Sequence, residues 1–147
     1  YRGKPLVRKG GVLILFHPLE YRFHSKHHPS YIDFFEQVLP NTRDPQEMER
    51  RYEADFATDP RYIDMYRNSQ AYHGVHPFYM WYWASYGQSY LGRVIVVGAR
   101  DGKVADTLGY QTAHSLEAAL EMAHNTVGPS PKVTAFHMPP IFIADVK

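Results

Sequence analysis

The sequence predicts an α/β protein: a three-layer sandwich on a mainly parallel sheet of three to four strands, with a long helical insertion after the first strand. Three observations carry this expectation. The runs VLILF (12–16), RVIVVG (93–98) and KVTAF (132–136) are continuously apolar or nearly so, as strands buried on both faces of a parallel sheet are. Helix-start signals fall between them, and strands separated by helices favour right-handed crossovers. About 75 residues separate the first two runs, where a plain crossover needs about a dozen.

Each element has its own local reason. After the first strand, SYIDFFEQVL (30–39) opens with Ser30 and has Asp33 three residues on, a pairing like a capping box. Asp44-Pro45-Gln46-Glu47 is a stronger start, with an acceptor at the cap and proline in the first turn, and predicts a helix to about Phe56. Asp59-Pro60 repeats that signal for RYIDMYRN. His76-Pro77 precedes FYMWYWASYG, an aromatic helix ending near Gly87. Ser115 caps LEAALEMAHNTV, which Gly128 and Pro129 stop. IFIA (141–144) is a candidate fourth strand. GARDG (98–102) lacks the spacing of a dinucleotide fingerprint and reads as a tight turn, with Asp101-Gly102 suited to positive φ.

Composition bounds the function. The 147 residues suit one domain, 1–147, with a core that needs no staple. Sixteen basic and fifteen acidic residues are intermixed, for a net charge of +1, and no basic stripe points to nucleic acid. The absence of cysteine excludes disulfides, thiolate nucleophiles and Cys-ligated metals, and fits a reducing cytoplasm. No run approaches a membrane span and no secretory leader is visible. The chain begins at Tyr1 and soon enters an apolar strand, which suggests a domain cut from a longer polypeptide; its place as the C-terminal half follows only from the resemblance given below.

Four of the nine histidines, His17, His24, His27 and His28, follow the first strand within one loop. Imidazoles suit a transition metal. However, His24 and His27 share a face only in a helix, and Pro29 favours an extended His28. A rim facing a small molecule is the preferred reading over a metal cage. In open α/β sheets ligands bind beyond the carboxyl ends of strands, which directs attention to this loop, to GARDG and to HMPP (137–140). His73 and His76 precede the aromatic helix, on which Tyr79, Trp83 and Tyr86 share one face. That face reads as core packing or as the wall of a cleft shared with another domain.

The order of segments resembles a known family. KGGVLIL, a polar loop and HHPSYIDFFEQVL resemble the strand, loop and helix that open the C-terminal domain of nickel-dependent lactate racemases, with His28 and Phe34 or Phe35 as counterparts of its His and Phe-rich helix. HPFYMWYWASYGQSYLGRVIVVG resembles that domain's long helix running into a Val/Ile strand. LGYQTAHSLEAALEMAHNTVGPSPKVTAF resembles its closing helix and last strand.

The resemblance implies two α/β domains with the active site between them. The companion N-terminal domain would hold a nickel-pincer nucleotide through a lysine, together with the histidine pair that acts as acid and base. The enzyme would be an isomerase that racemises or epimerises a 2-hydroxy acid by hydride transfer. This domain would close the cleft and be inactive alone, with no catalytic residue of its own identified. Trp81 and Ser85 fall where the family carries polar side chains, a departure that opens three alternatives to lactate racemisation: a substrate bulkier or more aromatic than lactate, a different hydroxy acid, or a homologue without racemase activity. The residues expected to face substrate are His24, His27, His28, His73, His76, Tyr79 and Trp83. The rival expectations are a stand-alone small-molecule or metal-binding module without catalysis, and a self-associating scaffold whose aromatic helix forms a homo-oligomer interface.

Overall fold

The computed structural model describes residues 6–136 and has an α/β architecture. β1 (Val12–Phe16), β2 (Arg93–Val97) and β3 (Gln111–Ala113) form one parallel sheet in the order β1-β2-β3. The register sets Ile14 beside Ile95 and Val97 beside both Phe16 and Ala113. The central strand β2 is apolar on both faces, and Val94 to Val97 are all buried. β1 is an edge strand and only half-buried, with Phe16 67% exposed. Its unbroken apolar run thus overstates its burial.

α7 (Leu116–Val127) lies on one face of the sheet. Ala119 and Ala123, one turn apart, let the helix approach Ile95 and Val97 closely. Ser115 accepts from the Ala118 N–H at 3.2 Å, and Gly128 ends the helix at φ 90°. Val94 and Val96 are buried on the opposite face, so the sheet is covered on both sides.

Two expectations at the end of the chain need correction. Residues 132–136 form no strand, and Val133 is 69% exposed. The third strand is instead the short Gln111–Ala113, where only Ala113 is buried. Its three residues carry too little apolar pattern to be read as a strand. GARDG is also more than a turn. Gly98 takes the positive φ, while Asp101 caps α6 (Gly102–Leu108), which follows at once, through the Lys103 N–H at 2.9 Å. IFIA and HMPP lie outside the described residues.

The insertion after β1 is helical and has its own core. α1 (Pro29–Asp33) widens into a π-helical stretch (Phe34–Val38), where the Leu39 N–H reaches back five residues to the Phe34 carbonyl at 3.1 Å. α2 (Pro45–Met48) passes through a second π-helical stretch (Glu49–Glu53) into α3 (Ala54–Thr58). α4 (Pro60–Asn68) and α5 (His76–Tyr90) follow. Asp44 and Asp59 cap α2 and α4 as their Asp-Pro signals predict. Ser30 does not cap α1. It sits fully buried inside the first turn and donates to the His73 carbonyl at 3.4 Å. Asp33 instead accepts from the Tyr62 hydroxyl at 2.5 Å and pairs with Arg61, tying α1 to α4.

α5 runs three residues beyond Gly87 and divides its aromatics by face. Phe78 is wholly buried, 4.8 Å from the Phe34 ring and 5.0 Å from Phe56. Trp81 is buried beside them, its indole donating to the Arg43 carbonyl at 3.0 Å. The Ser85 hydroxyl bonds the Tyr82 carbonyl of its own helix. Trp81 therefore belongs to the core, and the inference of a bulky substrate drawn from its position loses its footing.

Candidate functional site

A histidine groove is assembled from two distant segments. The loop after β1 divides in two. Its first half closes onto the end of β2: the Leu19 carbonyl accepts from Arg100 and Asp101, and Glu20 pairs with Arg100 at 3.2 Å. Its second half leaves the sheet and coils, the His27 and His28 N–H groups both returning to the His24 carbonyl. His28 then serves as the N-cap of α1.

This coil meets the turn between α4 and α5. The Tyr72 N–H donates to the His27 carbonyl at 3.0 Å, Ser30 reaches His73, and the Tyr31 hydroxyl lies 2.5 Å from His76 Nδ1. Gly74 lets this turn lie directly against the end of α3, because a Cβ there would lie 2.1 Å from the Phe56 carbonyl oxygen. An open groove of about 770 Å³ results, lined by His24, His27, His28, His73 and His76 with Tyr66, Gln70, Ala71 and Tyr72.

Five of the seven residues expected to face a ligand thus share one surface. Tyr79 and Trp83 do not line it. They stand on α5, 48% and 65% exposed, where Tyr79 packs near Tyr82. His17 extends the sheet ladder through its N–H to the Val97 carbonyl and lies outside the groove. Tyr31, Tyr66, Gln70 and Tyr72 were not singled out by the sequence. Tyr31 had a usable signal: it sits three residues after His28, so one helical turn from Pro29 brings the two rings together, at 5.4 Å. Gln70 had none, since nothing in its type announces its conformation.

The ring contacts are close. His24 and His27 lie 4.3 Å apart, His28 stacks on Tyr72 at 5.4 Å with planes 4° apart, and Tyr72 lies 4.6 Å from His76. Partial burial holds the His28 pKa below its ordinary value, and the neighbouring His24 and His27 push it the same way. His28 is therefore neutral at pH 7. Burial, with Tyr72 nearby, raises the Tyr31 hydroxyl, which keeps its proton.

In all five rings Nδ1 is engaged by the protein. His24 Nδ1 accepts from the His27 N–H at 3.4 Å, His28 Nδ1 from the His24 N–H at 3.2 Å, and His73 Nδ1 from the Val75 N–H at 3.4 Å. An accepting Nδ1 carries no proton, so each neutral ring presents an Nε2–H donor. His27 is reversed. Its Nδ1 faces the Gln70 carbonyl at 3.1 Å and must donate, which leaves Nε2 as a lone-pair acceptor. The groove offers several donors and one acceptor, a pattern suited to an anion that also carries a hydroxyl.

A smaller groove of about 440 Å³ lies at the carboxyl end of the sheet, between Tyr21, Phe35 and Glu36 on one side and Asp101, Lys103 and Thr107 on the other. Its Asp101 carboxylate is occupied with capping α6, and Glu36 accepts from Tyr21. Among the described residues no group of three or more His, Cys, Asp or Glu side chains is placed to hold a metal ion. No helix among them is long and apolar enough to cross a membrane. Comparison with protein-family models, with curated proteins and with solved structures finds no match to this chain.

Proposed function

We propose that this chain is the cleft-closing domain of a lactate-racemase-like enzyme, and that its histidine groove binds the 2-hydroxy acid on which the enzyme acts. The supporting observation is the convergence of His24, His27, His28, His73 and His76 on one groove, every Nδ1 being held by the protein. The α/β architecture agrees with the resemblance at β1, β2, α5 and α7, though not at its last strand, read at 132–136.

In this reading the substrate carboxylate accepts from the Nε2–H groups of His24, His28 and His73. The substrate hydroxyl donates to His27 Nε2. Rings held from behind lose little freedom on binding, so their hydrogen bonds are made at low entropic cost.

The described residues do not fit a nickel-pincer nucleotide. They hold no metal-ligating cluster, and no lysine lines the groove. The nickel cofactor, which would supply hydride transfer, belongs in this proposal to a companion N-terminal domain. This chain's part is confined to binding and orienting the acid and to excluding water when the cleft closes.

The test is racemisation of a single-enantiomer 2-hydroxy acid by the polypeptide that carries both domains. Each His→Ala change in the groove should lower kcat/KM by roughly tenfold, the value of one charge-assisted hydrogen bond, with circular dichroism unchanged. Unaltered kinetics in all five variants would sink the proposal.

A further inference from the structure

We infer that Gln70 sets the polarity of the groove: its carbonyl fixes His27 as the acceptor, and the groove thereby selects a 2-hydroxy acid over the corresponding 2-oxo acid. The selection rests on the function proposed above. The control of His27 does not.

Gln70 has φ 60°, and among the described residues it is the one non-glycine residue with positive φ. The left-handed region is costly for a side chain with a Cβ and persists where the surroundings enforce it. Here they do so from both sides. The Ser69 and Ala71 N–H groups both close back on the Met65 carbonyl, at 2.9 and 3.2 Å, folding the chain sharply after α4. One residue later the Tyr72 N–H is fixed on the His27 carbonyl.

Between these anchors the Gln70 carbonyl meets His27 Nδ1 at 3.1 Å. A carbonyl oxygen can only accept, so His27 holds its proton on Nδ1 and turns a lone pair outward on Nε2. His24, His28 and His73 face the opposite condition, a backbone N–H aimed at Nδ1, and turn a proton outward. One carbonyl in an uncommon backbone conformation thus creates the odd member of the set. The Gln70 side chain is not needed for this; the left-handed backbone is.

The consequence is chemical discrimination. A 2-hydroxyl gives His27 Nε2 a proton to accept. A 2-oxo group sets a second lone pair against it, and a polar atom left unpaired on binding discriminates more sharply than a lost apolar contact. Gln70 is a positioning residue that acts through His27.

The experiment follows the histidine tautomers in the uniformly 15N-labelled chain by long-range 1H–15N correlation, and titrates the polypeptide that carries both domains with lactate and with pyruvate. His27 should show Nδ1–H and His28 Nε2–H. Q70G, which keeps positive φ accessible, should leave both patterns unchanged. Q70V, which disfavours it, should convert His27 to the Nε2–H form and reduce the lactate-to-pyruvate affinity ratio by about tenfold. Should Q70V fail to fold, Q70A applies the same bias more mildly. An Nε2–H pattern at His27 in the unaltered chain overturns the inference, as does a His27 pattern that Q70V or Q70A leaves untouched. Correct tautomers with equal affinity for the two acids overturn the selectivity. Correct tautomers with no binding of either acid overturn the proposed function, and the response of His27 still decides the role of Gln70.

Discussion

His28 concentrates the physical conflict in the groove. It stacks flat on Tyr72, accepts from the His24 N–H and sits among two other imidazoles. Burial is the main reason that its charged form is disfavoured, and His24 and His27 add to it. In the unfolded chain His28 titrates near 6.5; in the folded chain it titrates lower. Between the two values the unfolded chain binds more protons, so stability rises with pH across that window and falls as pH drops through it. The urea midpoint should therefore be lower at about pH 5 than at about pH 7.5. His28→Gln should flatten that dependence while lowering the midpoint overall through the lost stack. Identical pH slopes in the two proteins would show that His28 does not govern the effect. A bound carboxylate should act in the opposite direction and raise the His28 pKa. At this scale the sequence was legible in part: the histidines are visible in it, but the backbone groups that set their tautomers are not. The conformation of Gln70 arises from how two segments dock, and residue type does not encode it.

Elements whose signals are local were the most legible. Asp44, Asp59 and Ser115 cap the helices they announce, because a side-chain acceptor and the N–H groups it satisfies lie within one turn. Ser30 broke the pattern for a tertiary reason: docking against the His73 turn outweighed capping, and Pro29 began the helix a residue earlier. The strands were legible where burial was complete, as in β2, and misread at the margins. β3 has three residues and one buried side chain, whereas the richer run at 132–136 pairs with no strand. The turn from His73 to His76 is the element on which the groove depends. Gly74 sits there with the Phe56 carbonyl where a side chain would be. Gly74→Ala must displace backbone rather than a flexible side-chain end. We expect a loss of roughly 1–3 kcal/mol, the usual cost of overpacking. The His73 and His76 resonances should shift together while those of α7 stay in place. A variant of unchanged stability and spectrum would mean that the turn yields freely and does not hold the groove.

At the scale of the molecule the chain carries two hydrophobic clusters with no buried member in common. One joins Ile95, Val97 and Ala113 to Ala119 and Ala123 of α7; the other packs Phe34, Val38, Met48, Phe56, Phe78 and Trp81 within the insertion. An α/β architecture was predictable because its strands and helices alternate. A second core was not, because an aromatic helix looks the same whether its rings meet a cleft or one another. The groove belongs to the second cluster. His28 begins the helix that carries Phe34, and His76 begins the helix that carries Phe78. Opening that cluster should dismantle the groove while the sheet persists. Phe78 is the place to test this, since it is fully buried between Phe34 and Phe56. Phe78→Ala removes a ring from a closely packed site, with an expected cost of about 3–5 kcal/mol. Native-state hydrogen exchange should then show the amides of α1, α4 and α5 exchanging through an opening of lower free energy than those of β2 and α7. The groove histidines should lose their distinct tautomer patterns under the same conditions. Uniform acceleration across β2, α7 and α5 would mean that the two clusters open as one unit. The groove would then draw its rigidity from the whole fold rather than from the insertion.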